Sequence, residues 1–387
     1  RADDEDALAV SLGDFDLLPE ASPELVLSAT NLTTEDAVLA GWIDYNRDGV
    51  FDNLTERATA AVPAGSDNAD VTLVFPEVPP FSAYTTYARF RLSSDDVFLA
   101  DPDPIGAVVG GEVEDVLIGR PTRVWDGEAG DNDVFNGRNW SLQNADGTTV
   151  NSNAAPQSFE HAVIGTAFAD QTLLVRTSGN DRFASRSLQS AAALRVEDKG
   201  LIEIHADSRI ADLVLTGVRT AFGDSLSSVN AFTRLHVTGV LHWTQAQINR
   251  LNIEVDGDLL IQTDREKSLL ASALRVHGDG SRWEAGNINA NGSSITNLGT
   301  WTSTSNADFI RPGFASPPAT VVNAEDATWI HDAPLVEDDF AERYVRLFNH
   351  GVIEVRRGEV TLGDCCSRTS NRGTLLVRDG AEPVSYT

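Results

Sequence analysis

The sequence is poor in sulfur and in lysine. Of its 387 residues none is methionine and only two are cysteines, Cys365 and Cys366. Because the two cysteines are adjacent, they exclude a framework of disulfides across the fold and any CxxC zinc or redox pattern, and they leave either a vicinal disulfide or two thiols. Lysine occurs only at Lys199 and Lys267. The chain starts at Arg1 without a methionine, so we expect a processed chain or a segment of a longer one.

Long hydrophobic runs are also missing. No stretch approaches the roughly 18 apolar residues that a membrane-spanning helix needs, and we recognise no signal peptide. Acidic residues outnumber basic ones 58 to 29, a formal net charge of −29. This charge repels phosphate, so we expect no nucleic acid partner and no membrane insertion, and divalent cations are the natural counterions. Residues 1–120 hold 24 acidic and 6 basic residues, net −18, and are the first place to look for a metal.

The pattern of apolar residues predicts an all-β protein. Short segments rich in Val, Ile, Leu, Thr, Phe and Tyr recur between Gly, Asn, Asp and Ser, and no segment has convincing helical periodicity. In the first 120 residues their spacing is typical of a β-sandwich. The strand candidates there are Glu24–Thr30, Ala37–Ile43, Asp70–Phe75, Thr85–Leu92 and Glu112–Ile118.

A polar stretch with two tryptophans follows the predicted sandwich. Trp125 and Trp140 lie in residues 121–157, and paired tryptophans suit a cap over an apolar opening, whereas a plain linker is the alternative. We therefore predict three parts: a sandwich at 1–120, a cap or linker at 121–157 and a parallel β-helix, or β-solenoid, at 158–387.

Imperfect repeats in the last part indicate stacked units. One motif is Leu-x-Val before a glycine, and the other is Asn-x-Gly before a β-branched residue. They occur as Leu194-Arg195-Val196, Leu235-His236-Val237, Leu274-Arg275-Val276, Asn297-Leu298-Gly299-Thr300, Asn349-His350-Gly351-Val352 and Asn371-Arg372-Gly373-Thr374. The last two lie 22 residues apart, about one coil of a parallel β-helix. A many-stranded sandwich is the competing fold.

Oxygen-bearing side chains alternate directly after the candidate strand Ala37–Ile43. They fill the first, third, fifth and ninth positions of a calcium loop, and Gly49 at the sixth position permits the tight turn. Thr55 stands at the twelfth position, where a bidentate Glu is expected, and Glu56 follows it. A solvated Asp/Asn turn without a metal is the alternative. The predicted calcium ligands are Asp44, Asn46, Asp48, Val50 through its carbonyl, Asp52 and Glu56.

Four ordered motifs extend this part of the sequence into a family pattern. They are Asp3-Asp4-Glu5-Asp6, Gly41-Trp42-Ile43-Asp44-Tyr45-Asn46 with Asp48-Gly49-Val50-Phe51, Ala88-Arg89-Phe90-Arg91-Leu92, and Gly111-Glu112-Val113-Glu114-Asp115. About the first 120 residues thereby resemble the GEVED domain of bacterial surface and secreted proteins, although Ala7 stands where that family usually has Gly. The resemblance implies an extracellular β-sandwich accessory module without catalysis, commonly beside adhesive or matrix-binding repeats. The later part resembles degenerate β-helical repeats of bacterial surface and autotransporter-like proteins.

Several other side chains are weaker site candidates. Arg89 and Arg91 alternate on a predicted strand and are expected to pair with Glu112 or Glu114, with ligand binding as the alternative. Asp131-Asn132-Asp133 is a second calcium candidate. Further along the chain, the first candidates are an acidic row, Glu254, Asp256 and Asp258, and scattered histidines in strand-like contexts, His205, His236 and His277. The last candidate is an exposed stripe of tryptophans that would stack on sugars, Trp243, Trp283 and Trp301.

The sequence predicts a structural or adhesive function rather than catalysis. We expect a calcium-stabilised extracellular or cell-surface scaffold whose partners are further copies of itself, stacked head to tail into a fibre, or other surface and matrix components. A carbohydrate-binding adhesin module is the alternative. A polysaccharide lyase or glycoside hydrolase is a third, which the fold alone does not exclude.

Overall fold

The structure is a computed structural model. It describes residues 15–80, 84–107, 111–144, 147–176, 182–197, 199–216, 221–223, 233–310, 319–334, 341–343, 345–362, 369–381 and 385–386. The chain divides into two compact units. The first comprises Arg1–Val124, Ser141–Ser152 and Phe159–Val163, and the second comprises Trp125–Trp140, Asn153–Ser158 and Ile164–Thr387.

The first unit contains an antiparallel β-sandwich. Among the described residues, one sheet pairs β1 with β4 and the other has the order β3-β2-β5-β6, where the strands are β1 Glu24–Asn31, β2 Ala37–Ile43, β3 Arg57–Val62, β4 Ser66–Val74, β5 Thr85–Ser93 and β6 Glu112–Gly119. The sheets enclose a core to which β1 contributes alternate residues, such as Leu25 and Leu27, and β4 contributes Leu73. The predicted sandwich is confirmed, but β3 was missed because its sequence is rich in small residues.

One short helix covers the outer face of β2. Helix α1, Asp96–Ala100, places Phe98 against Ala40 and Trp42, so β2 is buried on both faces and its sequence is a continuous apolar run. Asp95 caps the helix by accepting a hydrogen bond from the backbone N–H of Val97. Five residues are too few to show helical periodicity in the sequence, which explains why the helix was not predicted.

The remaining strands of the described residues are short. In chain order they are β7 Thr122–Trp125, β8 Trp140–Gln143, β9 Thr149–Asn151, β10 His161–Ile164, β11 Thr172–Val175, β12 Phe183–Ser185, β13 Leu188–Ser190, β14 Ala193–Val196, β15 Leu201–Ile204, β16 Ser208–Ile210, β17 Leu213–Leu215, β18 Ala221–Gly223, β19 Thr233–Val237, β20 Leu241–Trp243, β21 Ala246–Asn249, β22 Leu251–Val255, β23 Leu259–Ile261, β24 Lys267–Leu270, β25 Ala273–Val276, β26 Ser281–Trp283, β27 Ile288–Asn289, β28 Ser294–Asn297, β29 Thr300–Ser303, β30 Phe309–Ile310, β31 Ala319–Asn323, β32 Thr328–Asp332, β33 Ala341–Arg343, β34 Val345–Asn349, β35 Val352–Arg357, β36 Val360–Leu362, β37 Ser370–Asn371, β38 Thr374–Val377 and β39 Ser385–Tyr386. In the first unit, β7 pairs in parallel with β10, and β8 pairs antiparallel with β9.

The second unit is a parallel β-solenoid, as predicted. Every third strand joins the same sheet, so each coil adds one strand to each of three sheets. Within the described residues the sheets run β13-β16-β19-β22-β25-β28-β31-β34-β37, β11-β14-β17-β20-β23-β26-β29-β32-β35-β38 and β12-β15-β18-β21-β24-β27-β30-β33-β36-β39. The Leu-x-Val repeats of β19 and β25 lie in one sheet with β22 between them, so that interval spans two coils rather than one.

Ladders of side chains connect the coils of the second unit. The side-chain amide of Asn297 donates to that of Asn323, Asn323 to Asn349, and Asn349 to Asn371, at 2.9, 2.8 and 2.8 Å. A second ladder stacks indole rings. Trp301 lies 5.9 Å from Trp283 and 5.8 Å from Trp329 between ring centroids, and all three are buried. Amide and aromatic ladders hold successive coils in register.

The tryptophans of the 121–157 segment are buried in the second unit. Trp140 packs edge-on against Trp125 and stacks on Phe183 of β12, with ring centroids 5.2 and 5.8 Å apart. Asn132 and Val134 exchange backbone hydrogen bonds with Leu174 of β11. The chain itself therefore covers the edge of that strand.

Candidate metal centre

The loop from Asp44 to Glu56 connects β2 to β3. Two of its residues adopt left-handed backbone conformations: Gly49 has a φ of 77° and Arg47 a φ of 57°. Glycine adopts this conformation without steric cost, which explains its place at the tight turn. Arg47 is held by a 2.8 Å hydrogen bond from its Nε to the carbonyl of Thr85 on β5. The ring nitrogen of Trp42 donates to Asn53 at 2.8 Å, a second anchor that the sequence did not reveal.

Polar side chains shape the turns inside this 44–56 loop. Asn46 Oδ1 accepts the backbone N–H of Asp48 at 2.9 Å, and Asp48 Oδ1 accepts that of Val50 at 2.8 Å. Asp52 is exposed, and its Oδ1 accepts the N–H and hydroxyl of Thr55. These bonds are typical of Asx turns, so local geometry uses part of the oxygen set that was predicted to bind calcium.

Asp44 is the most constrained carboxylate of the loop. Its side chain is buried, and its Oδ2 accepts the N–H of Gly49 at 3.1 Å. Among the residues that the structure describes, its Oδ1 is buried without a hydrogen-bond partner. Burial raises the pKa of Asp44 because the charged form loses water. A buried oxygen of this kind is stabilised when a cation approaches it.

Glu56 lies inside the loop with its two oxygens on backbone donors. Oε1 accepts the N–H of Tyr45 and Oε2 accepts that of Asp52, both at 2.9 Å. Burial raises the pKa of Glu56 to about 7, and the nearby charges of Asp44 and Asp48 act in the same direction. Glu56 is buried at the end of the loop whereas Thr55 is exposed, and calcium binding by Glu56 stays a prediction.

The residues fit a hard cation in chemistry and only partly in arrangement. Asp44, Asn46, Asp48 and Glu56 offer oxygen ligands, the class that Ca²⁺ prefers, and mutual repulsion of the carboxylates favours a positive charge among them. In the described part of the chain, no three His, Cys, Asp or Glu side chains already surround one point as metal ligands do. Cation binding therefore requires carboxylates to turn away from the backbone N–H groups.

The arginines of β5 have other partners than those predicted. Arg89 forms two 2.7 Å bonds to the carboxylate of Asp115, its direct neighbour on β6, rather than to Glu112 or Glu114. Arg91 is buried and donates to the backbone carbonyls of residues 103, 105 and 106. The pairing was misassigned because Asp115 is the residue in register with Arg89. Arg89 therefore links β5 to β6 within one sheet, and Arg91 anchors the loop over residues 103–106.

The second calcium candidate has amide donors around it. Asp131 accepts hydrogen bonds from Asn136 Nδ2 at 2.6 Å and Asn139 Nδ2 at 2.7 Å, and these bonds, led by that of Asn136, lower its pKa. Amide N–H groups facing the carboxylate repel a cation. The Asp131–Asp133 turn is therefore a structural cluster beneath the buried Trp140.

The acidic row of the solenoid forms polar contacts between coils. His277 Nε2 lies 2.7 Å from Glu254, and His236 Nε2 lies 2.8 Å from Asp256. Asp258 accepts a backbone N–H at the corner of the next coil, at 2.8 Å. Polar groups on the outer face thus link neighbouring coils.

The proposed tryptophan stripe is wrong. Trp243, Trp283 and Trp301 are at most 2% exposed, because they fill the inside of the coils. They present no surface on which a sugar could stack. Cys365 and Cys366 lie outside the described residues.

An antiparallel β-sandwich followed along the chain by a parallel β-solenoid defines the class of this protein. Residues 38–118, from β2 to β6, match the family model of the GEVED domain, which confirms the resemblance over that range, including the 44–56 loop. GEVED domains are found in secreted and surface proteins. No curated protein and no solved structure matches the chain. No helix in the described ranges combines the length and apolar character needed to cross a membrane.

Proposed function

We propose that this chain is an extracellular structural or adhesive scaffold, in which calcium stiffens the GEVED sandwich and the solenoid supplies length. The observation that carries the proposal is the continuity of the stack: a ladder of side-chain amides joins four coils, from the buried Asn297 to the exposed Asn371. In the described residues two of the solenoid sheets have ten strands. At roughly 4.8 Å per strand, ten strands extend over about 43 Å.

Calcium would be held by Asp44, Asn46, Asp48 and Glu56. The buried Oδ1 of Asp44, which lacks a partner among the described residues, supports this assignment, as does the burial of Glu56 beside two other carboxylates. When bound, the cation supplies the positive charge that these groups lack, and it ties the end of β2 to the start of β3. The exposed Asp52, engaged in its own turn, is a weaker ligand.

Contacts with other surface or matrix components fit this scaffold better than a fibre of stacked coils. A head-to-tail fibre would pair the last coil of one copy with the first coil of the next. The β11 edge of the first coil is already paired with Asn132 and Val134, so stacking there would have to displace them. Sedimentation velocity of the purified chain with calcium separates the two modes. We expect monomers at high concentration. Long polymers would instead support head-to-tail stacking into a fibre.

The location of the protein tests the proposal as a whole. Antibodies against the chain are expected to label intact producing cells or their surrounding matrix without permeabilisation. Treatment with a chelator is expected to increase cleavage of the labelled protein by added protease, because the sandwich loosens. Labelling only after cell lysis would contradict an extracellular scaffold.

A further inference from the structure

Strand β6 lies at the edge of the four-stranded sheet of the sandwich and carries most of the Gly111–Asp115 motif. In the described part of the chain it pairs only with β5, so its other side has no strand beside it there. The edge of a sheet presents backbone N–H and C=O groups with which a further strand can pair. The open side of β6 is therefore a place where an extended chain can add to the sheet.

Apolar side chains are exposed on the outer face beside this edge. Val113 and Leu117 of β6 are 50% and 52% exposed, and Tyr87, the direct neighbour of Leu117 on β5, is 48% exposed. Alternate residues of β6, such as Ile118, belong to the core instead. Val113 and Leu117 are four residues apart, about 14 Å along a strand. A strand that adds to β6 lays its own apolar side chains beside these two.

The charge of β6 selects among the strands that can add to it. The strand has three acidic residues and no basic one: Glu112, Glu114 and Asp115. Residues 84–120, together with Arg47, which reaches them, hold seven acidic and four basic residues, net −3. The basic residues already have acceptors, which are Asp115 for Arg89, backbone carbonyls for Arg91, Asp16 for Arg120 and the carbonyl of Thr85 for Arg47. An acidic strand is repelled here, whereas Lys and Arg side chains lie favourably opposite the carboxylates.

We propose that β6 binds an extended basic segment of a partner protein as an additional strand of the sheet. Backbone hydrogen bonds along the edge hold the segment, and aliphatic side chains four residues apart pack beside Val113 and Leu117. Lys or Arg side chains at alternate positions face Glu112 and Glu114. A second copy of β6 is disfavoured, because it brings three carboxylates against three. The inference goes beyond the proposed scaffold and does not depend on the calcium site.

The test presents three capped peptides to the full chain in about 0.15 M salt, which screens long-range attraction. The basic peptide is Thr-Lys-Val-Lys-Thr-Lys-Val-Lys-Thr, the acidic peptide has Glu in place of each Lys, and the third has Pro in place of the central Thr. Proline keeps the charge of the basic peptide but removes an N–H from the ladder, so it separates strand pairing from simple attraction. Fluorescence anisotropy of the labelled peptides is expected to show binding of the basic peptide alone.

Two double variants locate the binding. Val113→Lys with Leu117→Lys is expected to weaken binding of the basic peptide about tenfold, because it removes the apolar contacts and adds two like charges. Val26→Lys with Val74→Lys changes the charge equally at similarly exposed positions of the other sheet, and it is expected to bind like wild type. Equal weakening by both double variants would overturn the inference.

Hydrogen–deuterium exchange of the wild type makes the test independent of any variant. The basic peptide is expected to slow exchange in residues 112–118 and to leave β1 unchanged. Absence of this protection, or equal binding of the acidic or proline peptide, would overturn the inference. Wild-type dimers that the Val113→Lys, Leu117→Lys variant abolishes would assign the edge to a second copy and would also overturn it.

Discussion

The side-chain amide of Asn323 donates a 2.8 Å hydrogen bond to the side-chain oxygen of Asn349, one coil further along the solenoid. Asn323 also accepts a bond from Asn297 and donates to the backbone carbonyl of Val352. Asn323 is buried, and its bonds to Asn297 and Asn349 are buried with it. One side chain thus fixes the register of three consecutive coils.

Replacing Asn323 is therefore expected to be costly. Asn323→Ala removes these hydrogen bonds and leaves buried partners on both neighbouring coils, a loss of about 2–4 kcal/mol in the free energy of unfolding. Urea denaturation measures it. The exposed Asn252→Ala on β22 is the control and is expected to stay within about 0.5 kcal/mol of wild type. Equal stability of the two variants would show that the ladder is not important for folding.

The two lysines provide a matched pair for the interior of the solenoid. Lys267 is fully buried, and its Nζ donates to the carbonyls of Thr263, Arg265 and Ala285 at 2.7, 2.7 and 3.1 Å. Lys267→Met leaves three carbonyls unsatisfied and is expected to destabilise the protein by about 2–4 kcal/mol. Lys199→Met, at an exposed position, is expected to change little.

Amine labelling checks the same feature without mutation. Acetic anhydride is expected to modify Lys199 in the folded protein and Lys267 only after unfolding, as read by mass spectrometry. Rapid labelling of Lys267 under native conditions would mean that its carbonyl cage opens freely.

Tryptophan fluorescence tests the burial of the indoles. All seven tryptophans lie in described residues and are at most 3% exposed. The native chain is expected to have blue-shifted emission that acrylamide quenches weakly, and neutral polysaccharides are expected to leave it unchanged. Denaturation is expected to restore strong quenching. Strong quenching of tryptophan emission by acrylamide in the native protein would contradict this burial and support an exposed tryptophan stripe.

The pKa of Glu56 predicts how pH changes the stability of the calcium-free protein. Burial raises this pKa from 4.5 to about 7, so between these values the folded state holds a proton that the unfolded state releases. The stabilisation from that proton is complete below pH 4.5 and is lost as pH rises to about 7. Urea denaturation in a chelator at pH 5 and pH 8 is expected to show this fall in wild type.

Glu56→Gln cannot take up the proton, so its stability is expected to fall less over the same interval. The exposed Glu77→Gln is the control and is expected to behave like wild type. A wild-type profile in Glu56→Gln would mean that another group controls the pH dependence.

Sequence patterns predicted the strands whose burial is strong. Ala37–Ile43 has the predicted bounds because both of its faces are covered. β3 was missed because only Ala58 and Val62 are buried among its small residues. Asn323 was missed since Ala324 and Glu325 follow it, so the Asn-x-Gly corner is absent although the ladder continues. The structural roles of β3 and Asn323 depend on tertiary packing, which the local composition of the sequence does not show.

The candidate site could be located from sequence but not built from it. The spacing of Asp44, Asn46 and Asp48 predicted the loop and its turn at Gly49, and the structure places Glu56 inside it. Spacing could not show that Asp52 faces its own turn, nor that Arg89 pairs with Asp115, since both depend on register and local hydrogen bonds.

Calorimetric titration of the full chain with Ca²⁺ at pH 8 tests the central claim most directly. We expect binding at one site, at least as tight as the roughly 10⁻⁴–10⁻³ M of extracellular calcium modules. Asp44→Asn, which removes one carboxylate charge from the buried site, is expected to abolish it, whereas the exposed Asp67→Asn on β4 keeps it. No saturable heat up to about 10 mM Ca²⁺, ten times the weakest of those constants, or equal binding by both variants, would contradict a calcium site in the 44–56 loop.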